Sequence, residues 1–193
     1  MHYHHRNNTK KPTDSKHRMC HKAEHKKCIL AVHITLVPFK YINRNNKVPD
    51  YIHWTIRQHM GLQVTDKYYK HIPERVITVN GTTIMWNVLV ITDGTILANQ
   101  PDIVQHDKKE KTCLLIDIAI TDDSNVKTKE TEKLSKYEDL EIKVSRSWKV
   151  RAKTLPVIIA ALVTIKEGLD QNLQLLPGSP LAIELQKITL IWT

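Results

Sequence analysis

The chain has 193 residues, with 29 lysines and arginines against 20 aspartates and glutamates and a formal net charge of +9. This length suits one hydrophobic core with appendages and argues against two domains. The basic excess suits a polyanion such as DNA, RNA or an anionic membrane surface without choosing among them. The longest nearly charge-free apolar segment, residues 155–165, is too short to span a membrane, and no signal peptide is evident, so we expect an intracellular protein.

Residues 1–43 are rich in His, Lys and Asn and contain almost nothing that could form a core, which predicts a disordered basic tail. The candidate zinc ligands within it are Cys20, His25 and Cys28. His17 or His21 could supply a fourth ligand, but the spacing matches no established zinc motif. We therefore interpret this segment as the degenerate remnant of a zinc knuckle and do not count Zn²⁺ among the expected cofactors.

The first predicted helix follows the tail, where apolar residues recur every four positions and a glycine ends the pattern. These residues are Val48, Ile52, Ile56, Met60 and Gly61. Pro49 is compatible with this helix only in its first turn. Residues 75–80, 83–92 and 100–120 then predict a run of antiparallel strands.

A long helix is predicted between Asn125 and Val150, because this segment has no Gly or Pro and its apolar residues step by three and four. That stripe consists of Leu134, Tyr137, Leu140 (or Glu141), Val144 and Trp148. Residues 154–165 predict a strand buried on both faces, and two shorter helices around residues 166–173 and 180–192 close the chain. The predicted fold is therefore mixed α/β (α+β), with a mixed sheet flanked by helices.

The charged turn at residues 106–111 decides which side chains of its two strands face each other. If the turn is even-numbered and centred between Lys109 and Glu110, paired residue numbers add to 219, and Asp102 lies opposite Asp117. Opposed Cβ atoms are about 4.5 to 5.5 Å apart. Two carboxylates this close repel each other unless a divalent cation such as Mg²⁺ or Mn²⁺ neutralises them. An odd-numbered loop would place them on opposite faces.

Alternation assigns the remaining side chains of the second strand. Leu114, Ile116, Ile118 and Ile120 share one face and are expected to lie under the long helix, whereas Asp117 shares the other face with Cys113, Leu115 and Ala119. Each aspartate alone also has a structural interpretation, because Asp102 follows a proline as turn residues often do and a buried carboxylate can accept backbone hydrogen bonds.

Two lysines on the long helix border its apolar stripe. Lys133 and Lys136 lie one turn apart, and Lys133 also lies one turn before Tyr137. A helix with Tyr137 facing inward could direct one ammonium group at the carboxylate pair, although a solvated lysine face is the usual alternative. The sequence does not decide between the two lysines.

The chain contains four short motifs that are similar to those of a known family. They are "PD" at 101–102, "DKKEK" at 107–111, "LLIDIAI" at 114–120 and "EKLSKY" at 132–137. They resemble the restriction-enzyme-like endonuclease domain of non-LTR retrotransposon polyproteins, a branch of the PD-(D/E)XK nuclease superfamily. The resemblance covers about residues 17–193 and implies an αβββαβ nuclease core over residues 44–193.

The resemblance also implies roles for individual residues. Asp102 and Asp117 would hold Mg²⁺ or Mn²⁺, and Lys133 or Lys136 would orient or activate the attacking water, since Ala119 stands where the general superfamily pattern has its lysine. The implied activity is a metal-dependent phosphodiesterase that nicks target DNA for insertion. The implied partners are DNA, element RNA and the reverse transcriptase of the parent polyprotein, with no membrane, and the implied location is the nucleus.

The chain departs from this family at two positions. Gln100 replaces the Arg or Lys that usually precedes "PD", and Asn45 replaces the His of a basic-His-Asn motif. These departures motivate a second hypothesis, a catalytically inactive relic that binds nucleic acid non-specifically. A third hypothesis, ranked last, is a zinc-dependent binding module at Cys20, His25 and Cys28.

Overall fold

The computed structural model describes residues 37–121, 124–160 and 168–191, with side chains from Lys47 onward. Its helices are α1 (Val37–His59), α2 (Val126–Trp148), α3 (Leu169–Gln174) and α4 (Ala182–Ile191), with a short 3-10 helix at Tyr68–Lys70. Its strands are β1 (Val76–Val79), β2 (Thr82–Trp86), β3 (Ile103–Asp107), β4 (Thr112–Thr121) and β5 (Arg151–Ala160). The predicted zinc ligands Cys20, His25 and Cys28 lie outside the described residues.

The five strands form one mixed sheet in the order β1-β2-β3-β4-β5. Strands β1 to β4 are an antiparallel meander, and β5 runs parallel to β4. A parallel neighbour requires a crossover connection, and α2 supplies it. The predicted mixed α/β class and the predicted order of elements are therefore confirmed, although residues 87–92 lie beyond the end of β2. In the described part of the chain, no helix has the length and apolar character needed to cross a membrane.

The predicted register of the β3–β4 hairpin is confirmed. Ile103 pairs with Ile116, and every other pair also adds to 219. The reason is local, because the Asp107 carboxylate accepts hydrogen bonds from the backbone N–H groups of Lys109 (2.8 Å) and Glu110 (3.0 Å). An aspartate that bonds to the backbone two and three residues ahead stabilises a tight turn.

Helix α1 begins at Val37, eleven residues before the first residue of the apolar pattern, Val48, and contains Pro49 in its interior. The expectation that Pro49 lies in the first turn is therefore wrong. An internal proline removes a backbone hydrogen bond and costs about 3 kcal/mol or more. The helix continues because Val48, Ile52 and Ile56 are fully buried against the sheet, and their burial offsets this cost.

The two faces of the sheet are covered by different helices. Ile116 and Ile120 pack with α1, α3 and α4, and Leu114 and Ile118 lie at the edge of that cluster. Cys113 and Leu115 instead pack against α2. The alternation along β4 was predicted correctly, but the expectation that the four even-numbered residues lie under the long helix is wrong. Alternation defines two faces without saying which helix covers each, and α2 packs on the odd-numbered face.

The predicted stripe of α2 is correct at Tyr137, Leu140 and Val144, which are all buried. Leu134 is 43 % exposed, so its place in the stripe is wrong. Positions 133, 137, 140 and 144 follow the four-and-three spacing of one helix face more closely. The position that continues the stripe toward the start of the helix is therefore occupied by Lys133.

Strand β5 is buried from Thr154 to Ala160 although it lies at the edge of the sheet. Glu141 of α2 accepts a hydrogen bond from the backbone N–H of Thr154 at 2.7 Å, and the side chain of Asn172 donates to the carbonyl of Pro156 at 3.1 Å. Pro156 itself has no N–H. These features block the open edge against pairing with another chain. The prediction that this strand is buried on both faces is confirmed for residues 154–160.

A buried histidine pair joins α1 to the segment after the 3-10 helix. His53 Nδ1 lies 2.7 Å from His71 Nε2, and His53 is fully buried. Burial and the neighbouring His71 lower the pKa of His53 to about 4, and burial also lowers the pKa of His71. Arg57 disfavours a charge on either ring, and Glu74, which is paired with Arg57, favours one. The pair is therefore neutral at neutral pH.

We expect acidification to destabilise the protein through His53. A histidine whose folded-state pKa is lowered contributes stability above its unfolded pKa of 6.5, and this stability is lost as pH falls toward 4. The loss at pH 4 corresponds to about 3 kcal/mol, and urea unfolding at pH 7.5, 5.5 and 4.5 measures it. His53→Gln should flatten the dependence, whereas His59→Gln, at an exposed position, should not. An unchanged dependence in His53→Gln would contradict the assignment.

Candidate active site

Asp102 and Asp117 lie at adjacent positions of the β3–β4 hairpin. The pair Ile103–Ile116 is the last of the ladder, and the next step along the same register places Asp102 beside Asp117. The Asp102 carboxylate accepts a hydrogen bond from the backbone N–H of Ile118 at 2.7 Å. Asp102 precedes the first residue of β3, and its carboxylate accepts the Ile118 N–H in place of a backbone carbonyl. This hydrogen bond holds Asp102 next to Asp117.

Asp117 is 3 % exposed and faces α2. Its Oδ2 forms an ion pair with Lys133 Nζ at 2.5 Å, and its Oδ1 accepts a hydrogen bond from the Tyr137 hydroxyl at 2.6 Å. Lys136 Nζ lies 3.9 Å from Oδ1. All four sequence-predicted site residues therefore meet at one place, on the sheet face that α2 covers.

The two lysines have different environments. The Lys133 side chain is 17 % exposed and contacts Asp117 directly. The Lys136 side chain is 42 % exposed, donates to the Tyr137 hydroxyl at 2.9 Å and lies 4.5 Å from the centre of the Tyr137 ring. Lys133 is thus the partner of the buried charge, and Lys136 stands between that charge and solvent.

Tyr137 is a site residue that sequence reasoning assigned only to the core. Its ring is fully buried in the α2 cluster, and its hydroxyl donates to Asp117, accepts from Lys136 and lies 3.1 Å from the backbone carbonyl oxygen of Gln100. Burial and the hydrogen bond to Asp117 raise the pKa of the Tyr137 phenol, so the group remains a donor. A tyrosine in an apolar stripe next to a buried acid is the signal that could have revealed it.

Gln100 stands where the family that the chain resembles has an Arg or Lys, and its side chain contacts Asn87. Its side-chain amide donates to the backbone oxygen (3.1 Å) and the side-chain oxygen (2.8 Å) of Asn87. Asn87, at a positive φ of 47°, in turn donates its backbone N–H to the carbonyl of Asp102 at 2.8 Å. Gln100 and Asn87 therefore position the segment that carries Asp102, and no local sequence pattern predicts this long-range contact.

The electrostatics of the site favour a cation. Burial and the neighbouring Asp117 carboxylate raise the pKa of Asp102 to about 6, although the Ile118 N–H and both lysines act in the opposite direction. The two ammonium groups therefore do not fully offset the effect of burial and of Asp117 on the pKa of Asp102. An added divalent ion would favour the ionised form of both.

The available ligands suit Mg²⁺ or Mn²⁺ better than a softer metal. Mg²⁺ is commonly held by one or two carboxylates, with water and substrate phosphate completing its shell. In the described part of the chain, no cluster of three or more His, Cys, Asp or Glu side chains could form a closed metal site. Asp102 and Asp117 could provide the two carboxylates of such a site. Lys133 already contacts one oxygen of Asp117, Oδ2.

No protein-family model matches the chain, and no curated protein matches it. The geometry of the site and the residues that carry the resemblance are therefore the basis for its function.

We expect metal affinity to depend on pH through Asp102. Below pH 6 a proton must leave this carboxyl before a cation binds, so the apparent Mn²⁺ affinity should rise roughly tenfold per pH unit up to about pH 6 and then level off. Calorimetric titrations at pH 5, 6, 7 and 8 measure this. Asp102→Asn should remove both the binding and its pH dependence, and Asp139→Asn, at an exposed position of α2, is the control. Equal affinity at pH 5 and 8 would refute the prediction.

Proposed function

We propose that this chain is a Mg²⁺- or Mn²⁺-dependent DNA endonuclease domain of the PD-(D/E)XK type, derived from a non-LTR retrotransposon. The observation that carries the proposal is the meeting of Asp102 and Asp117 with Lys133 Nζ, 2.5 Å from Asp117, on one face of the sheet. The topology is consistent with it, because a helix, an antiparallel meander, a crossover helix and a parallel strand follow one another as in an αβββαβ core, with β1 as one additional strand at the start of the meander.

The residues of the site would have different roles in the reaction. Asp102 and Asp117 would hold the cation, and Tyr137 fixes the orientation of the Asp117 carboxylate through Oδ1. A bound divalent ion supplies an acidified water and polarises the phosphate. The Lys133 ammonium can stabilise negative charge that develops on the phosphate oxygens, because it is preorganised in a largely buried position. Lys136 is exposed enough to contact the substrate phosphate.

In this proposal the substrate is DNA, and the reaction takes place in the nucleus, where target DNA is nicked for insertion. The reverse transcriptase of the parent polyprotein and element RNA would be the remaining partners. The net charge of +9 supports a polyanionic substrate without identifying it.

A second candidate function is an inactive relic that binds nucleic acid. The observation that favours it is the compensation of Asp117, whose two oxygens already contact Lys133 and Tyr137 in a buried position. A carboxylate satisfied in this way can be purely structural. The relic should bind DNA with a steep salt dependence, and neither Mg²⁺ nor Asp102→Asn should change that binding.

We expect the protein to nick supercoiled plasmid with Mn²⁺ or Mg²⁺ and to lose roughly a hundredfold or more of this activity in Asp117→Asn and Asp102→Asn. Agarose-gel time courses measure the rate, and Asp139→Asn serves as the matched control. Mn²⁺ should also raise the melting temperature of the unsubstituted protein and leave that of Asp102→Asn unchanged. Equal nicking by all variants, or no effect of Mn²⁺ on melting, would exclude the endonuclease and favour the relic.

Lys133 should matter more than Lys136. Lys133→Met removes the ammonium nearest the carboxylates, so we expect a fall in kcat of roughly a hundredfold. It should also lower stability by up to about 3–5 kcal/mol, because Asp117 then loses its ion-pair partner in a buried position. Lys136→Met should mainly raise KM and leave stability nearly unchanged. Steady-state nicking kinetics and urea unfolding of both variants measure these effects, and the reverse ranking would contradict the assignment.

A further inference from the structure

Three chain connections meet at the end of the sheet that lies away from the carboxylates. The β3–β4 turn contacts the β1–β2 turn, because the backbone N–H of Lys108 donates to the carbonyl of Gly81 at 3.0 Å. The same β3–β4 turn contacts the α2–β5 junction, because Arg151 N–H donates to the carbonyl of Lys111 at 2.8 Å. The Lys109 side chain also lies against Gly81, 3.3 Å from the position that a Cβ there would take.

Six exposed cations project from these connections and form what we call the hairpin-end cluster. They are Lys108, Lys109, Lys111, Lys149, Arg151 and Lys153. None of the six forms a salt bridge within 4 Å to another residue that the structure describes. The acids of the same segments are Asp107 and Glu110, and both carboxylate oxygens of Asp107 are occupied by hydrogen bonds within the hairpins. The cluster therefore retains most of its positive charge.

Two members of the cluster occupy backbone conformations that disfavour lysine. Lys111 has a φ of 51° and Lys149, which ends α2, has a φ of 53°. Glycine and asparagine are the residues that adopt this left-handed region most readily, and glycine is common at helix ends of this kind. Lysine at both positions maintains positive charge at the expense of backbone strain. Strain retained at a charged surface is a feature of functional sites.

We infer that the hairpin-end cluster binds the phosphate backbone of duplex DNA, and this choice of polyanion rests on the proposed function. The six residues of β4 from Thr112 to Asp117 span about 17 Å. This is about half of the roughly 34 Å helical repeat of B-DNA. A duplex with one phosphate at the carboxylates can therefore place backbone phosphates at the cluster about five base pairs away.

The composition of the cluster favours DNA over a membrane surface. Basic surfaces that bind lipid usually present large apolar side chains beside the cations. No exposed large hydrophobic side chain occurs within residues 106–111 or 149–153. Exposed cations without such side chains match a regular array of phosphates.

The test measures binding of the full chain to a 20-base-pair duplex by fluorescence anisotropy, in EDTA and across a series of salt concentrations. The first variant combines Lys108→Gln, Lys109→Gln and Arg151→Gln. The second combines Lys111→Gly and Lys149→Gly, which removes two charges and relieves the left-handed strain. The control combines Lys67→Gln, Lys70→Gln and Lys187→Gln, which lowers the net charge by three, as the first variant does, at exposed positions elsewhere in the fold.

We expect the slope of log K against log salt to become shallower by about 2 to 3 in the first variant and by about 2 in the second, because each lost phosphate contact removes about 0.9. The glycine variant should melt at the same temperature as the unsubstituted protein or higher, which separates lost binding from lost folding. The control should change the slope by less than 1.

An unchanged slope in both cluster variants, or an equal change in the control, would overturn the inference. So would a loss of binding to phosphatidylserine vesicles in the cluster variants with duplex binding intact. The assay contains no divalent ion, so the result does not depend on cleavage. If nicking is absent and the slopes still change as expected, the proposed endonuclease activity is excluded, and DNA binding by the hairpin-end cluster is supported.

Discussion

The buried charge of Asp117 is the constraint on which the site depends. A carboxylate that is 3 % exposed loses its hydration, and this costs several kcal/mol unless protein groups compensate it. Among the residues that the structure describes, its side-chain partners are Lys133, Lys136 and Tyr137, and all three belong to α2. The packing of α2 across β4 and β5 therefore determines whether this charge is tolerated. The same packing produces the arrangement of carboxylates and amines on which the proposed phosphodiester chemistry depends.

Tyr137 connects this charge to the hydrophobic core. Its ring packs with Leu140 and Val144, and its hydroxyl contacts both Asp117 and the backbone oxygen of Gln100. A single side chain thus joins α2, β4 and the segment that leads into β3. Core stability and site geometry consequently cannot vary independently here. The raised pKa of Asp102 has the same origin, since burial and a near neighbour of like charge follow from the compact packing that holds the site together.

Positive charge is distributed unevenly along the hairpin. At one end of β4 the lysines of α2 compensate the carboxylates, and at the other end the hairpin-end cluster has no comparable acidic partner among the described residues. The strand acts as a rigid spacer of about 17 Å between the two regions. Lys111 and Lys149 place positive charge in left-handed backbone conformations, which glycine adopts more readily than lysine.

Local chemistry made much of this fold predictable. Asp107 and its turn determine the hairpin register, so the adjacency of Asp102 and Asp117 could be inferred from the printed residues alone, as could α2 and the burial of β5. Long-range packing decided the rest. Alternation along a strand defines two equivalent faces, and only the crossover chose the face that α2 covers. The same packing selected Lys133 over Leu134 for the inward position, kept Pro49 inside α1, and joined Gln100 to Asn87. These outcomes depend on contacts between segments far apart in the chain, which periodicity and propensity do not encode.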